Sequence, residues 1–97
     1  MKIAYHPAAA AEHLDQIHHY ATLNTTLGAG YVEEFQAALT YISEGPQRFP
    51  VVIAPQVRRH FLSRFPIAIY FRAIDEQIQI ISVAHKRRRP IYWASRL

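Results

Sequence analysis

The chain has 97 residues, of which 51% are hydrophobic, and this length suits one small domain with a single core, spanning residues 1–97. It contains no cysteine, which excludes a disulfide framework and a thiolate metal site. No apolar run approaches the ~20 residues that span a bilayer, and the first residues lack the apolar segment of a signal peptide. We therefore expect a cytoplasmic protein with no membrane partner.

The chain begins with the pattern of a short strand followed by a helix. Residues 2–5 fit a strand, and Pro7 is well placed at the start of a helix. That helix is expected to run from residue 8 to about residue 23 with one buried face. The predicted buried stripe consists of Ala10, Leu14, Ile17 and Ala21.

A second helix is predicted directly after the first. Residues 24–26, Asn-Thr-Thr, interrupt the first helix and supply N-capping hydroxyls for the next, while Gly45 and Pro46 end it. Its predicted buried stripe consists of Leu27, Tyr31, Phe35, Ala38 and Ile42. Because the linker is so short, the two helices should form an antiparallel hairpin that packs on another layer.

The second half of the chain predicts a sheet. Residues 46–55 are expected to form an irregular loop, followed by strands at 57–62, 67–74 and 77–84. The last two strands are joined by the two-residue turn at 75–76, so a β-meander is the simplest arrangement. The predicted fold class is α+β in the order β-α-α-β-β-β, with the helical hairpin packed on an antiparallel sheet.

The charge is unevenly distributed along the chain. Residues 1–50 carry two cations and five anions, a net charge of −3, whereas residues 51–97 carry nine cations and two anions, a net charge of +7. Four consecutive cations stand at 86–89, directly after the last predicted strand. Like charges this close repel one another, so such a run favours an anionic partner: nucleic acid, the ribosome or an acidic protein segment.

Two segments carry a resemblance to a known family. Residues 58–72, RRHFLSRFPIAIYFR, and residues 80–93, IISVAHKRRRPIYW, resemble the RelE/ParE superfamily of toxins from type II toxin–antitoxin modules. The resemblance implies a RelE/ParE-like fold and a small cytoplasmic toxin from a growth-arrest or plasmid-stabilisation module. It also implies a cognate antitoxin with an acidic, helix-forming segment. The implied target is DNA gyrase in the ParE branch, or mRNA at the ribosome in the RelE branch.

The resemblance places candidate ribonuclease residues at four positions: Arg58, His60, Arg87 and Tyr92. The central-strand arginine of the RelE pattern is replaced by Ile67, and an aliphatic side chain cannot neutralise a phosphate. We therefore favour a ParE-like inhibitor of DNA gyrase that is not an enzyme. The alternatives are a ribosome-dependent mRNA endoribonuclease and a degenerate homologue that only binds its antitoxin. If the scaffold is otherwise competent, Ile67→Arg is expected to bring RNA cleavage up.

The candidate target-binding and antitoxin-binding residues are Arg58, Arg59, Arg64, Lys86, Arg87, Arg88, Arg89, Tyr92 and Trp93. The competing interpretations are a solvated surface for the cations and a core position for the single tryptophan. Three histidines on the first predicted helix are not spaced to share a metal ion, because none of them form an i,i+4 pair. No metal site and no cofactor is predicted.

Overall fold

The computed structural model describes residues 1–97 as two helices packed on one face of a five-stranded sheet. The elements are β1 (Lys2–Tyr5), α1 (Pro7–Leu23), α2 (Thr25–Glu44), β2 (Val51–Ile53), β3 (Val57–Phe61), β4 (Ile67–Ile74) and β5 (Gln77–His85). The strands lie in the order β1-β5-β4-β3-β2. The predicted α+β fold with a helical hairpin on the sheet is confirmed. Neither helix is long and apolar enough to cross a membrane.

The sheet differs from the predicted meander at both edges. β1 pairs in parallel with β5, so the sheet is mixed, while the other three pairings are antiparallel. The segment predicted to be an irregular loop contains a 3-10 turn at Pro46–Arg48 and the short strand β2. Three residues flanked by prolines give too weak a pattern to predict a strand, and pairing with β3 decides its conformation.

The inward face of α1 is rotated from the predicted one. Ala9 and Tyr20 are buried, whereas Leu14 of the predicted stripe is 57% exposed. The rotation arises because His13, which lies outside the predicted stripe, packs inward. Its ring lies 3.8 Å from that of Phe35, and its Nδ1 lies 3.2 Å from the Tyr31 hydroxyl. The buried face of α1 therefore includes an aromatic histidine ring, which hydrophobicity alone does not mark as buried.

The start of α2 is capped by Asn24, the residue that joins the two helices. The Asn24 side-chain oxygen accepts hydrogen bonds from the N–H groups of Thr26 and Leu27, at 2.8 and 3.2 Å, so an amide rather than a hydroxyl caps α2. The α2 stripe is largely as predicted, although Leu27 is 38% exposed. Its buried residues are Gly28, Tyr31, Phe35, Ala38, Leu39 and Ile42.

The main core lies between the hairpin and one face of the sheet, where Ile67, Ile69 and Phe71 of β4 are fully buried. Asp75 and Glu76 form the turn into β5 with φ angles of 51° and 59°, as a two-residue hairpin requires. The other face of the sheet, called here the open face, is only partly covered. There the C-terminal segment packs Trp93 against Val57 and Ile81.

The helical hairpin supplies a prediction about close packing. A Cβ at Gly28 would lie 2.7 Å from the Ala21 Cα of α1, so Gly28→Ala should lower the free energy of unfolding by about 1–3 kcal/mol. Gly30→Ala is the matched control, because its nearest neighbours are 3.7 Å away, and it should stabilise α2 by about 0.5–1 kcal/mol. Urea denaturation of both variants measures the difference. Equal midpoints would contradict this account of the helix contact.

Candidate functional site

The candidate site is built on the segment that follows β5, which we call the basic tail, Lys86 to Tyr92. Residues 85–91 are all exposed. The side chains of Arg87 and Arg89 make no hydrogen bond, ion pair or ring contact within the protein. The tail therefore presents two free guanidinium groups to solvent, on a segment that the rest of the structure holds in place.

The carboxylate of Glu12, on α1, holds the C-terminal segment to the sheet. It accepts hydrogen bonds from Arg96 Nη1 and Nη2 at 2.8 and 2.9 Å and from the Tyr92 hydroxyl at 2.6 Å. Ser82 Oγ lies 3.3 Å from Glu12 Oε1 and 2.7 Å from the Tyr92 hydroxyl oxygen. Arg88 Nη1 adds an ion pair at 3.6 Å. One carboxylate thus joins α1, β5 and the tail.

The Glu12 carboxylate also accepts a hydrogen bond from the backbone at an open edge of the sheet. β1 ends at Tyr5, opposite Ile80, so the later part of β5 has no neighbouring strand on the side away from β4. There Glu12 accepts the Val83 N–H at 3.1 Å, and Arg96 donates to the Ile81 carbonyl at 3.0 Å. The ion pair therefore satisfies backbone groups that a longer β1 would otherwise pair.

The electrostatics of this cluster favour the charged pair. Burial raises the pKa of Glu12, but hydrogen bonds from Arg96, Tyr92 and Val83 outweigh it, so the pKa lies below its ordinary value of 4.5. The hydrogen bond to Glu12 raises the pKa of Arg96, and burial together with the same carboxylate raises the pKa of Tyr92. At neutral pH Glu12 is therefore an anion, and Tyr92 remains a hydrogen-bond donor to it.

Aromatic contacts fix the shape of the tail. The Arg88 guanidinium lies 3.9 Å from the centre of the Tyr92 ring, and the Arg96 guanidinium lies 5.2 Å from it. Ile91 has a φ of 59°, which is strained for a β-branched residue and turns the chain back. Trp93 is 1% exposed with its ring 4.8 Å from that of Tyr70. Trp93 is therefore a core residue that packs beneath the tail, which is the core position that sequence analysis gave as one of its two interpretations.

The tail borders a cleft on the open face, and Arg59, which lines this cleft, also contacts an exposed aromatic ring beside it. Phe61, 41% exposed, lies between the Arg59 guanidinium at 4.4 Å and Lys86 Nζ at 4.9 Å. The cleft has a volume of about 300 Å³, and the residues that line it include Arg59, Tyr70, Pro90, Ile91 and Trp93. Arg59 Nε is buried there without a hydrogen-bond partner. This surface combines exposed apolar atoms with cations and lacks a lining carboxylate.

Arg58 and His60 lie on the other face of the sheet. Arg58 Nη1 donates to the Phe49 carbonyl at 2.7 Å, and the His60 ring packs 5.0 Å from that of Phe49. Burial lowers the pKa of His60, despite an opposing effect of Glu34. Two strand spacings, roughly 10 Å, separate β3 from β5, where the Tyr92 hydroxyl is held. The structure therefore does not bring Arg58 and His60 together with Arg87 and Tyr92.

Two further positions have structural roles. Ile67 is fully buried in the main core, so Ile67→Arg would bury a charge there, and its expected effect on RNA cleavage stays a prediction. Arg64 forms an ion pair with Glu34, Nε to Oε1 at 2.8 Å, and Glu34 also accepts the Ser63 N–H at 2.6 Å. Arg64 thus holds the β3–β4 loop against α2.

No group of three His, Asp or Glu side chains could hold a metal ion.

Sequence analysis missed Glu12, Ser82 and Arg96, the residues that fix the tail. Glu12 lies outside the predicted buried stripe of its helix, although its side chain is only 12% exposed. A weak signal existed, because Glu12 is one of only two acidic residues in α1. Its partners lie 70 to 84 residues away, so no local spacing could identify them.

The fold is shared with two solved structures, one titled as a ParDE TA system and the other as a RelE toxin. A chain of a solved structure titled "Chromosomal ParDE TA system from P. aeruginosa" is 22% identical, with a TM-score of 0.73 over 88% of this chain and 95% of that one. The isolated E. coli RelE toxin is 17% identical, with a TM-score of 0.63 over 97% of this chain and 93% of that one. No family model and no curated protein sequence matches. The chain therefore has the RelE/ParE fold, and the ParDE likeness is the stronger of the two.

The Glu12 cluster predicts a pH-dependent loss of stability. Glu12→Gln should lower the free energy of unfolding by about 2–3 kcal/mol at pH 7, because it leaves Arg96 without its anion. Since the folded-state pKa of Glu12 is below 4.5, this stabilisation is complete above that pH and is lost as the pH falls through the folded-state pKa. Thermal unfolding from pH 7 to pH 3 should therefore show the two proteins converging in acid.

Glu33→Gln is the matched control for this experiment. Glu33 is exposed and forms no ion pair, so the substitution should change the free energy of unfolding by less than about 0.5 kcal/mol. A difference between wild type and Glu12→Gln that stayed constant down to pH 3 would contradict the role given to the carboxylate.

Proposed function

We propose that this chain is the toxin of a type II toxin–antitoxin module, and that it arrests growth by binding DNA gyrase without catalysing a reaction. The shared fold supports the first part, since one similar structure is titled a ParDE system and the other a RelE toxin. Fold alone does not determine the target, so the second part depends on the residues. Such a protein would act in the cytoplasm and need no cofactor.

The observation that carries the noncatalytic proposal is the separation of the four candidate ribonuclease residues. Cleavage by a 2′-hydroxyl needs a base and charge-neutralising groups around one phosphate. Arg58 is bonded to backbone carbonyls beside the main core, and the Tyr92 hydroxyl is bonded to Glu12. With Ile67 buried, no cation stands on the central strand at that position. These contacts favour a binding role for the chain.

The basic tail is the part of the surface best suited to bind the target. Arg87 and Arg89 are exposed and unpaired, while Arg88 and Tyr92 are already fixed by Glu12. Because the supporting residues are held in place, the free guanidinium groups project from an ordered base, which lowers the entropy lost on binding. Arginine beside aromatic residues is a composition that protein interfaces enrich.

We further propose that an antitoxin segment covers the open-face cleft. The exposed Phe61 ring between Arg59 and Lys86 suits an acidic segment that carries apolar side chains. Such a segment would gain affinity from apolar burial and from charge neutralisation together. Because Lys86 belongs to the tail and also contacts the Phe61 ring, antitoxin and target would compete for adjoining surface.

The first experiment expresses the protein without antitoxin and pulse-labels DNA and protein synthesis in the same cells. DNA synthesis should fall first, and purified protein should inhibit gyrase supercoiling. The double variant Arg87→Ala/Arg89→Ala should weaken that inhibition about tenfold or more, because it removes two exposed interface arginines. Its thermal stability should be unchanged, since neither side chain contacts the protein.

His60→Gln is the matched control, since it removes the candidate base on the other face of the sheet and should leave growth arrest intact. Earlier loss of protein synthesis, abolished by this change in a folded variant, would favour the mRNA endoribonuclease. No effect of the wild type on either synthesis or on gyrase would favour the degenerate homologue that only binds its antitoxin.

The antitoxin proposal makes a separate prediction. Phe61→Ala should weaken binding of the purified cognate antitoxin about tenfold, because truncating a central aromatic anchor removes apolar burial and two cation–ring contacts. Leu14→Ala, a change at a more exposed apolar residue on α1, is the control and should leave affinity within about twofold. Calorimetric titration measures both. Equal affinities for wild type and Phe61→Ala would place the antitoxin elsewhere.

A further inference from the structure

A second cleft opens on the same face of the sheet, on the side of β1 and β5. It has a volume of about 180 Å³ and is lined by Arg72 of β4, Gln79 of β5, His6 before α1 and Arg96 from the C-terminal segment. None of the residues that line it is acidic. No residue of the basic tail lines it, and no role described above uses Arg72, Gln79 or His6.

Arg72 is held so that its outer edge is free. Its Nε donates to Gln79 Oε1 at 2.7 Å, which orients the guanidinium plane. Its two terminal nitrogens have no hydrogen-bond partner in the protein. A guanidinium fixed at Nε with both terminal nitrogens free presents the parallel pair of donors that binds an oxyanion.

The other polar side chains add donors rather than acceptors. His6 Nδ1 accepts the Ala8 N–H at 3.0 Å, so the ring proton is on Nε2, which leaves a donor on a ring that lines the cleft. His6 is also the N-cap of α1, whose positive end favours an anion nearby. Arg96 is neutralised by Glu12, so Arg72 provides the net positive charge of the cleft.

We propose that this cleft binds a phosphate group, either as free phosphate or as the terminal phosphate of a nucleotide. Arg72, His6 and Arg96 bring hydrogen-bond donors from three separate parts of the chain, and several donors suit the several terminal oxygens of a tetrahedral anion. The volume equals that of roughly six water molecules, enough for a phosphate and below the size of pockets that enclose a whole drug-sized ligand. The proposal does not rest on the toxin function.

The test is a titration of the ¹⁵N-labelled protein with inorganic phosphate at constant ionic strength, followed by amide and Arg72 Nε–H shifts. Saturable shifts are expected at His6, Ala8, Arg72 and Gln79. Arg72→Gln should raise the Kd about tenfold or more, because charge-assisted hydrogen bonds are lost. Arg89→Gln removes the same charge from the tail and should change the Kd less than about twofold.

Further arms separate the sources of the phosphate and the competing explanations. A nucleoside monophosphate that binds as tightly as phosphate identifies a nucleotide end, and one that is excluded identifies free phosphate. Acetate that binds equally well, or Arg89→Gln that weakens binding as much as Arg72→Gln, would overturn the site. Arg72→Lys keeps the charge but lacks the fork, so a folded Arg72→Lys with wild-type affinity would overturn it as well, even if Arg72→Gln failed to fold.

Discussion

The C-terminal part of this structure depends on the hydrogen bonds and ion pairs that the Glu12 carboxylate makes. It contacts side chains on β5 and on the C-terminal segment, together with one backbone N–H of an otherwise unpaired strand edge. A buried carboxylate is costly unless every lone pair is satisfied, and here Arg96 and Tyr92 provide that satisfaction. The same set of bonds therefore compensates the burial of the charge and fixes where the basic tail begins and ends.

The two faces of the sheet have different functions in the molecule. The helical hairpin covers one face with a large aromatic and aliphatic core, which also encloses His60 and the stem of Arg58. The other face is covered only in part, by Trp93 and its neighbours, and leaves two cation-lined clefts beside them. Residues available for partners are concentrated on the open face, because its cover is a short segment rather than a helix.

Sequence patterns were sufficient where structure is set by neighbouring residues. The end of α2 at Gly45 and Pro46 and the turn at Asp75 and Glu76 both followed from local chemistry. The inward face of α1 was mistaken because the packing of His13 depends on Phe35, on the other helix. The resemblance grouped Arg58 with Arg87 and Tyr92, but Arg58 lies on the helix side of the sheet. Sequence analysis could not show this, because alternation along β3 alone does not say which face is covered.

The contact between Glu12 and Arg96 spans 84 residues, which makes it one of the longest-range connections in the chain. Contacts this distant form late, because the entropy of closing so long a loop is lost before the contact stabilises the chain. During synthesis α1 emerges well before Arg96, so the ion pair has to wait for the C-terminal segment. The basic tail therefore acquires its fixed shape only after Arg96 has been translated and has left the ribosome, and a nascent chain that stops short of Arg96 lacks that surface.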